Sequence, residues 1–310
     1  MTNGWLLSCG DALIDFMPTQ TKDGQSAMRP VVGGSCLNIA VAMARLGAPT
    51  GFIGGLATDM FGQMIAEHAE ASGVDLRFCN RSDDQNTLAF VQLIDTQARY
   101  AFYDKATAAR AWRFDAARFP WAEVDAVHIG STTLIDDPTS AETLALARSA
   151  KPHTLVSLDP NCRPALVKDI ADYRARIATF AKEARLIRLS DEDFAFLYGH
   201  ANPDTVADQF LKDGADLVVL TLGRHGASAW HKAAGPIHVP APEISVVDTI
   251  GAGDTFLAAL LVALREKDAL TRLTKLPTEV LGDSLRFASA CAALTCSRAG
   301  ANPPWRNEVN

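Results

Sequence analysis

The sequence predicts an α/β fold, with a mostly parallel central sheet between layers of helices and a small β sheet set outside it. Short apolar runs alternate with longer helical patterns along most of the chain, as in parallel strands joined by helical crossovers. Two stretches, 12–32 and 86–104, break that rhythm with β-type runs and no intervening helix. No repeat, low-complexity run or long linker divides the 310 residues, so one domain over 1–310 with a small β appendage is expected.

The elements follow in order. A strand is expected at Trp5–Cys9. Paired glycines at 33 and 34 open a helix over Leu37–Leu46, which Gly47 closes. A strand at Gly51–Gly55 leads to a helix at Phe61–Ser72. Thr87–Ile94 and Arg99–Tyr103 flank the turn Asp95-Thr-Gln-Ala and read as a hairpin, either part of a lid or an ordinary edge. Strands at Ala126–Gly130, Leu155–Asp159 and Leu186–Leu189 alternate with helices at Ser140–Ser149, Ile170–Ala184 and Pro203–Lys212. A strand at Leu217–Leu222 and helices at Ala252–Arg265 and Val280–Ser297 complete the set.

Bulk properties narrow the function. With 48% hydrophobic and 21% charged residues the chain can fill a core, which excludes general disorder. A net charge of −7 and a pI near 5.5 argue against a nucleic-acid partner. Six cysteines, none in a CxxC pair or at zinc spacing with His, read as reduced core thiols. No basic leader precedes a long apolar run and no 18-residue apolar stretch occurs, so neither a signal peptide nor a membrane partner is expected, and the location is cytoplasmic.

Chemistry concentrates in Val247-Asp-Thr-Ile-Gly-Ala-Gly-Asp-Thr-Phe256. Glycines at 251 and 253 permit close backbone approach, and the helix begins there, so its free N–H groups and positive end make a site for a phosphate, or for charge developing on one, ahead of Ala252. Asp254 sits one residue inside. It is either a base that takes a proton from an attacking hydroxyl or an acidic residue favouring the first helical turn. A dinucleotide site is disfavoured because Phe256 stands where a third glycine belongs, and no GxxxxGK[ST] phosphate loop is present. In Gly33-Gly-Ser-Cys-Leu-Asn38, Asn38 on the first turn offers a donor and an acceptor suited to sugar hydroxyls; alone, the segment also reads as a packed helix. Thr221-Leu-Gly-Arg-His-Gly226 and Asp159-Pro-Asn-Cys-Arg163 each follow a strand, and Asp11 follows the first strand. Each is a plain turn if read singly. Together they fall where ligands bind in open α/β sheets, with Arg163 able to clamp a phosphoryl oxygen.

Taken together these segments resemble the PfkB, or ribokinase-like, carbohydrate kinases. Gly33-Gly34, Asn38, Gly47, Gly54, Asp59 and Gly62 are similar to that family's N-terminal signature, and Asp248-Thr-Ile-Gly-Ala-Gly-Asp254 to its C-terminal one. The resemblance implies a ribokinase-like three-layer sandwich with a β-sheet lid formed by about 12–32 and 86–104. It implies ATP and Mg²⁺ as cofactors, a sugar substrate, and Asp254 as base, with the backbone of Gly251, Ala252 and Gly253 as the anion hole. Asp11, Gly33, Gly34, Asn38 and Phe102 would bind the sugar, with Arg163 between the two ligands. Ser190, Thr221, Gly223 and Gly226, with Gly251 and Gly253, would line the ATP site. Asp193 would act on Mg²⁺ indirectly, and Asp248 with carbonyls near Gly300 would hold K⁺. A homodimer through the lid is expected.

Gly10-Asp-Ala-Leu-Ile-Asp-Phe16, Asp159–Pro164 and Phe102-Tyr103 resemble fructokinases in particular, which implies D-fructose phosphorylated at O6. Three departures stand out: Asp11 replaces the usual Glu, the NxxE motif reads Ser190-Asp-Glu-Asp193, and Ala106–Arg110 lacks the Ala-Asp pair expected at the lid's end. Rival readings are a kinase for 2-keto-3-deoxygluconate, ribose or a related sugar, a non-catalytic sugar- or nucleotide-binding protein, and a Rossmann dehydrogenase. A sugar-acid kinase would need a cation from Arg29, Arg99, Lys105 or Arg110.

Overall fold

A computed structural model describes residues 4–94, 97–152, 154–233 and 235–309. Its strands are apolar at consecutive positions because both faces of the main sheet are covered. Leu7, Val127, Val156, Ile187 and Val218 point to one side, into a core shared with helices Thr139–Ala150, Ile170–Ala181, Asp191–Tyr198 and Pro203–Asp213. Their neighbours Leu6, Ala126, Leu155, Leu186 and Leu217 point to the other, against helices Ser35–Arg45, Ala252–Glu266 and Thr278–Cys296. The result is the expected three-layer arrangement.

Nine strands form the main sheet. Across it run Gly235–Val239, Ala227–His231, Leu217–Thr221, Leu186–Ser190, Leu155–Asp159, Val124–Gly130, Trp5–Cys9, Thr50–Ile53 and Val74–Asp75. Neighbours are parallel except for the two pairings of Ala227–His231. Trp5–Cys9 lies between Thr50–Ile53 and Val124–Gly130, so the strand order reverses around it. In open α/β sheets ligands bind at such a reversal, beyond the carboxyl ends of the strands.

Residues 12–32 and 86–104 build a second sheet of four strands, in the order Ser26–Gly33, Leu13–Gln20, Leu88–Ile94 and Gln97–Tyr103. The last two are the expected hairpin, paired from Leu88 with Tyr103 to Ile94 with Gln97. Asp95 and Thr96 of its turn lie outside the described residues, as does the side chain of Arg99. Asp15, Ala89 and Phe102 are in register and share one face. Phe16 and Phe90 stack on the other at 4.7 Å, and Phe16 meets Phe61 of helix Met60–Ala71 edge-on at 5.7 Å.

Two expectations change. The run 51–55 splits at Gly54: Thr50–Ile53 stays in the main sheet, and Gly55–Ala57 leaves it to pair with Asn80–Ser82. Helix Asp191–Tyr198 and strands Ala227–His231 and Gly235–Val239 are additional elements.

Candidate active site

Asp254 is 6% exposed in the first turn of helix Ala252–Glu266. Its Oδ1 accepts from Ser35 Oγ at 2.7 Å and its Oδ2 from Asn38 Nδ2 at 2.9 Å. Two helices that start at the same sheet edge therefore meet through this carboxylate. Burial raises its pKa, against the pull of the Ser35 and Asn38 hydrogen bonds and the charge of Arg163, while Asp11 pushes it further up. A carboxylate held in place, with its proton affinity raised by burial, is suited to accept a proton.

The turn ahead of it is shaped by its glycines. Gly251 is left-handed, with φ 76°, and a Cβ there would lie 2.7 Å from Ala301 Cβ. Gly253 has no unusual φ; its lack of a side chain makes room for a guanidinium, because a Cβ would lie 2.7 Å from Arg188 Nη2. Ala252 N–H donates to the Thr249 carbonyl at 3.2 Å, so it is committed within the turn. The N–H groups of Gly253 and Asp254 meet no protein acceptor among the described residues. The Gly251 N–H likewise meets none, so the free N–H groups at this helix start are those of Gly251, Gly253 and Asp254, with Ala252 spent.

Asp11, 4% exposed, organises the start of helix Ser35–Arg45. Its Oδ1 accepts from Cys36 N at 3.0 Å and its Oδ2 from Ser131 Oγ at 2.8 Å. Gly34 caps helix Ser35–Arg45 at φ 106°, and a Cβ there would lie 2.5 Å from the Asp11 carbonyl oxygen. A Cβ on Gly33 would lie 2.2 Å from Asp15 Oδ2. Asp15, not singled out from the sequence, faces the site from the small sheet. Burial raises its pKa to about 6, with repulsion from Asp11 adding to this and Arg163 opposing it. Phe102 stacks with Tyr100 at 5.8 Å on that same inner face.

The remaining residues line the other side. Arg163 Nη1 donates to the carbonyls of Asn161 and Cys162 at 3.0 and 3.1 Å, and its charge reaches both Asp15 and Asp254. Thr221 Oγ1 accepts from Arg188 Nη2. Gly223 and Gly226, at φ 52° and 87°, shape the turn that follows Thr221. Ser190 and Asp193 form a capping box: Ser190 Oγ accepts from Asp193 N at 3.0 Å and Asp193 Oδ2 accepts from Ser190 N at 3.2 Å, with Ser190 Oγ also donating to that oxygen at 2.7 Å. Asp193 Oδ1 accepts from Cys162 N at 2.7 Å, so this carboxylate ties the Arg163 loop to the Ser190 strand end. Asp248 accepts from Ile250 N at 3.0 Å and Gly300 N at 2.8 Å, fastening the approach to the anion hole.

The structure gathers Asp11, Gly34, Asn38, Arg163, Thr221, Asp248 and Asp254 along one sheet edge, and adds Ser35, Asp15 and Arg188. Ser35 was legible as a hydroxyl opening a Gly-Gly helix. Arg188 was legible only as a charge inside an apolar strand.

Comparison with known proteins agrees with this geometry. Residues 5–308 match the family model described as pfkB family carbohydrate kinase. A fructokinase of Rhizobium leguminosarum bv. trifolii is 39% identical over 269 residues, covering 86% of this chain and 82% of the relative. A crystal structure of fructokinase with bound ATP from Xylella fastidiosa superimposes with a TM-score of 0.91 at 27% identity, covering 100% of this chain and 97% of that one. Aminoimidazole riboside kinase from Salmonella enterica, in complex with aminoimidazole riboside and an ATP analogue, gives 0.83 at 25% identity, covering 99% and 98%.

Proposed function

The chain belongs to the pfkB family of carbohydrate kinases, and from that premise we propose that it transfers the γ-phosphate of ATP to D-fructose, at O6. The observation that carries the mechanism is the setting of Asp254: a buried carboxylate, fixed by Ser35 and Asn38, next to unspent N–H groups at a helix start. Asp254 accepts the hydroxyl proton as that oxygen attacks phosphorus. The N–H groups of Gly253 and Asp254, with the helix dipole, stabilise charge spreading over the phosphoryl oxygens. Arg163 stands between the two ligands.

Asp11, Asp15, Asn38 and the Phe102 face bind the sugar, and the four-stranded sheet is the lid that excludes water. Asp11, Asp15 and Asp254 outnumber Arg163, since Arg188 is spent on Asp159, and this favours a neutral sugar over a sugar acid. Of the cations a sugar acid would need, Arg110 is already paired with Asp104 and Asp136, while Arg29 and Lys105 are exposed.

Thr221, Gly223 and Gly226 line the ATP site. Mg²⁺ bound with ATP would supply charge neutralisation at the phosphates; Asp193 and Ser190, engaged with each other and with Cys162, would act on it only through water. Asp248 and carbonyls near Gly300 would hold K⁺ beside the anion hole. The enzyme works in the cytoplasm as a homodimer joined through its lids.

The test is ADP release with Mg-ATP across fructose, glucose, ribose, 2-keto-3-deoxygluconate and adenosine. Turnover on fructose alone is expected, and preference for another acceptor would replace the fructose assignment. Asp254→Asn should lower kcat by about 100-fold or more with ATP binding nearly intact. Full activity in that variant would remove Asp254 from the base role.

A further inference from the structure

Resting on the phosphotransfer reading above, the structure assigns Arg188 as a positioning residue. Its guanidinium locks the end of strand Leu217–Thr221 to the first turn of helix Ala252–Glu266, holding nucleotide and base in register.

Arg188 is 4% exposed, two residues before the end of the Leu186–Ser190 strand. Its Nη1 donates to Asp159 Oδ2 at 2.8 Å and its Nη2 to Thr221 Oγ1. Both terminal nitrogens press on Gly253, where a Cβ would stand 2.7 Å from Nη2 and 2.9 Å from Nη1. Asp159 Oδ1 in turn accepts from Asn161 N at 3.0 Å, which shapes the loop that carries Arg163. One planar group therefore touches three segments that the active site needs in fixed relation: the Asp159 loop, Thr221 and the anion-hole turn. A rigid fork can set these distances together, whereas an ammonium offers only a point charge.

Stability does not account for this side chain. A buried ion pair is commonly matched or bettered by apolar packing of the same volume. Arg188 Nε, moreover, meets no acceptor among the described residues. What the guanidinium adds is geometry, together with a positive charge behind the first-turn N–H groups and within electrostatic reach of Asp254. It makes contact through protein groups and not with the reacting atoms, since Gly253 and Thr221 stand between.

The experiment compares Arg188→Lys and Arg188→Met with wild type by steady-state kinetics, pH–rate profiles, thermal melts and ADP calorimetry. A positioning role predicts kcat lower by about 10-fold or more in both variants, because misplaced groups lose rate steeply. KM for ATP should rise more than KM for the sugar. The acid limb of kcat/KM should move to higher pH in Arg188→Met, where Asp254 loses a nearby cation, and return toward wild type in Arg188→Lys. Gly253→Ala should impair wild type more than it impairs Arg188→Met, where the colliding group is gone, giving a non-additive cycle. Variants that only melt earlier, with kcat per folded site, KM and pH limb unchanged, would reduce Arg188 to a structural residue. Silence of the wild type on every sugar would instead overturn the kinase reading itself.

Discussion

At the scale of single residues, the site stores charge that the fold does not need. Asp15 has a pKa raised to about 6 by burial and by Asp11. A carboxyl whose folded pKa lies above its unfolded value of 3.8 binds its proton more tightly when folded. Stability therefore falls as pH rises through the window from about 4 to 6, and at pH 7.5 the ionised group opposes folding. Asp15→Asn should then stabilise the protein by about 1–2 kcal/mol at pH 7.5, after a discount for partial exposure, and by little at pH 4. The same change should raise KM for the sugar several-fold. Melts at the two pH values with a sugar titration check both; a lower Tm at pH 7.5 would show that Asp15 is held by contacts its charge does not strain. Asp15 carries no local signal, and Ser35, legible as a hydroxyl at a helix start, does not reveal its partner, because these contacts arise only when distant segments meet: 219 positions separate Ser35 from Asp254.

At the scale of elements, the helix starts carry the design. The start of Ser35–Arg45 requires glycine at 34 for two reasons, a φ of 106° and a backbone oxygen 2.5 Å from where a Cβ would be. Gly34→Ala should cost about 2 kcal/mol or more and displace Asp11, seen as a lower Tm and lost sugar binding. Gly33→Ala meets only the movable tip of Asp15 and should be milder. The main strands were legible because burial on both faces leaves unbroken apolar runs such as Leu217–Leu220. Helix Asp191–Tyr198 was not, since eight residues beginning Asp-Glu-Asp give little periodicity, although its capping box is written in Ser190 and Asp193. The helix start at the 251–253 glycines was legible, but the local pattern does not explain Gly253, which makes room for Arg188, a partner 65 positions earlier.

At the scale of the whole molecule, the small sheet has two unlike faces. The inner one carries Asp15 and Phe102; the outer one forms a groove of about 700 Å³ against helix Met60–Ala71, lined by Phe61, Leu88, Phe90 and Tyr103. Met28 is 45% and Tyr103 63% exposed. Such a surface supports the proposed lid-to-lid homodimer; light scattering at micromolar concentration should give twice the 33.2 kDa chain mass, and a monomer there would remove that proposal. The sheet order also bears on how the protein is made. Trp5–Cys9, translated before the other strands of the main sheet, ends inside that sheet, third from one edge, and its neighbour Val124–Gly130 follows more than a hundred residues later. At ribosomal speed that is a wait on the order of ten seconds, during which an apolar strand has one edge open. Asp254 emerges later still, so the proposed base is made only after this open-edged interval has passed. Yield in a cell should then depend on elongation rate and chaperone cover as well as on the stability of the finished fold.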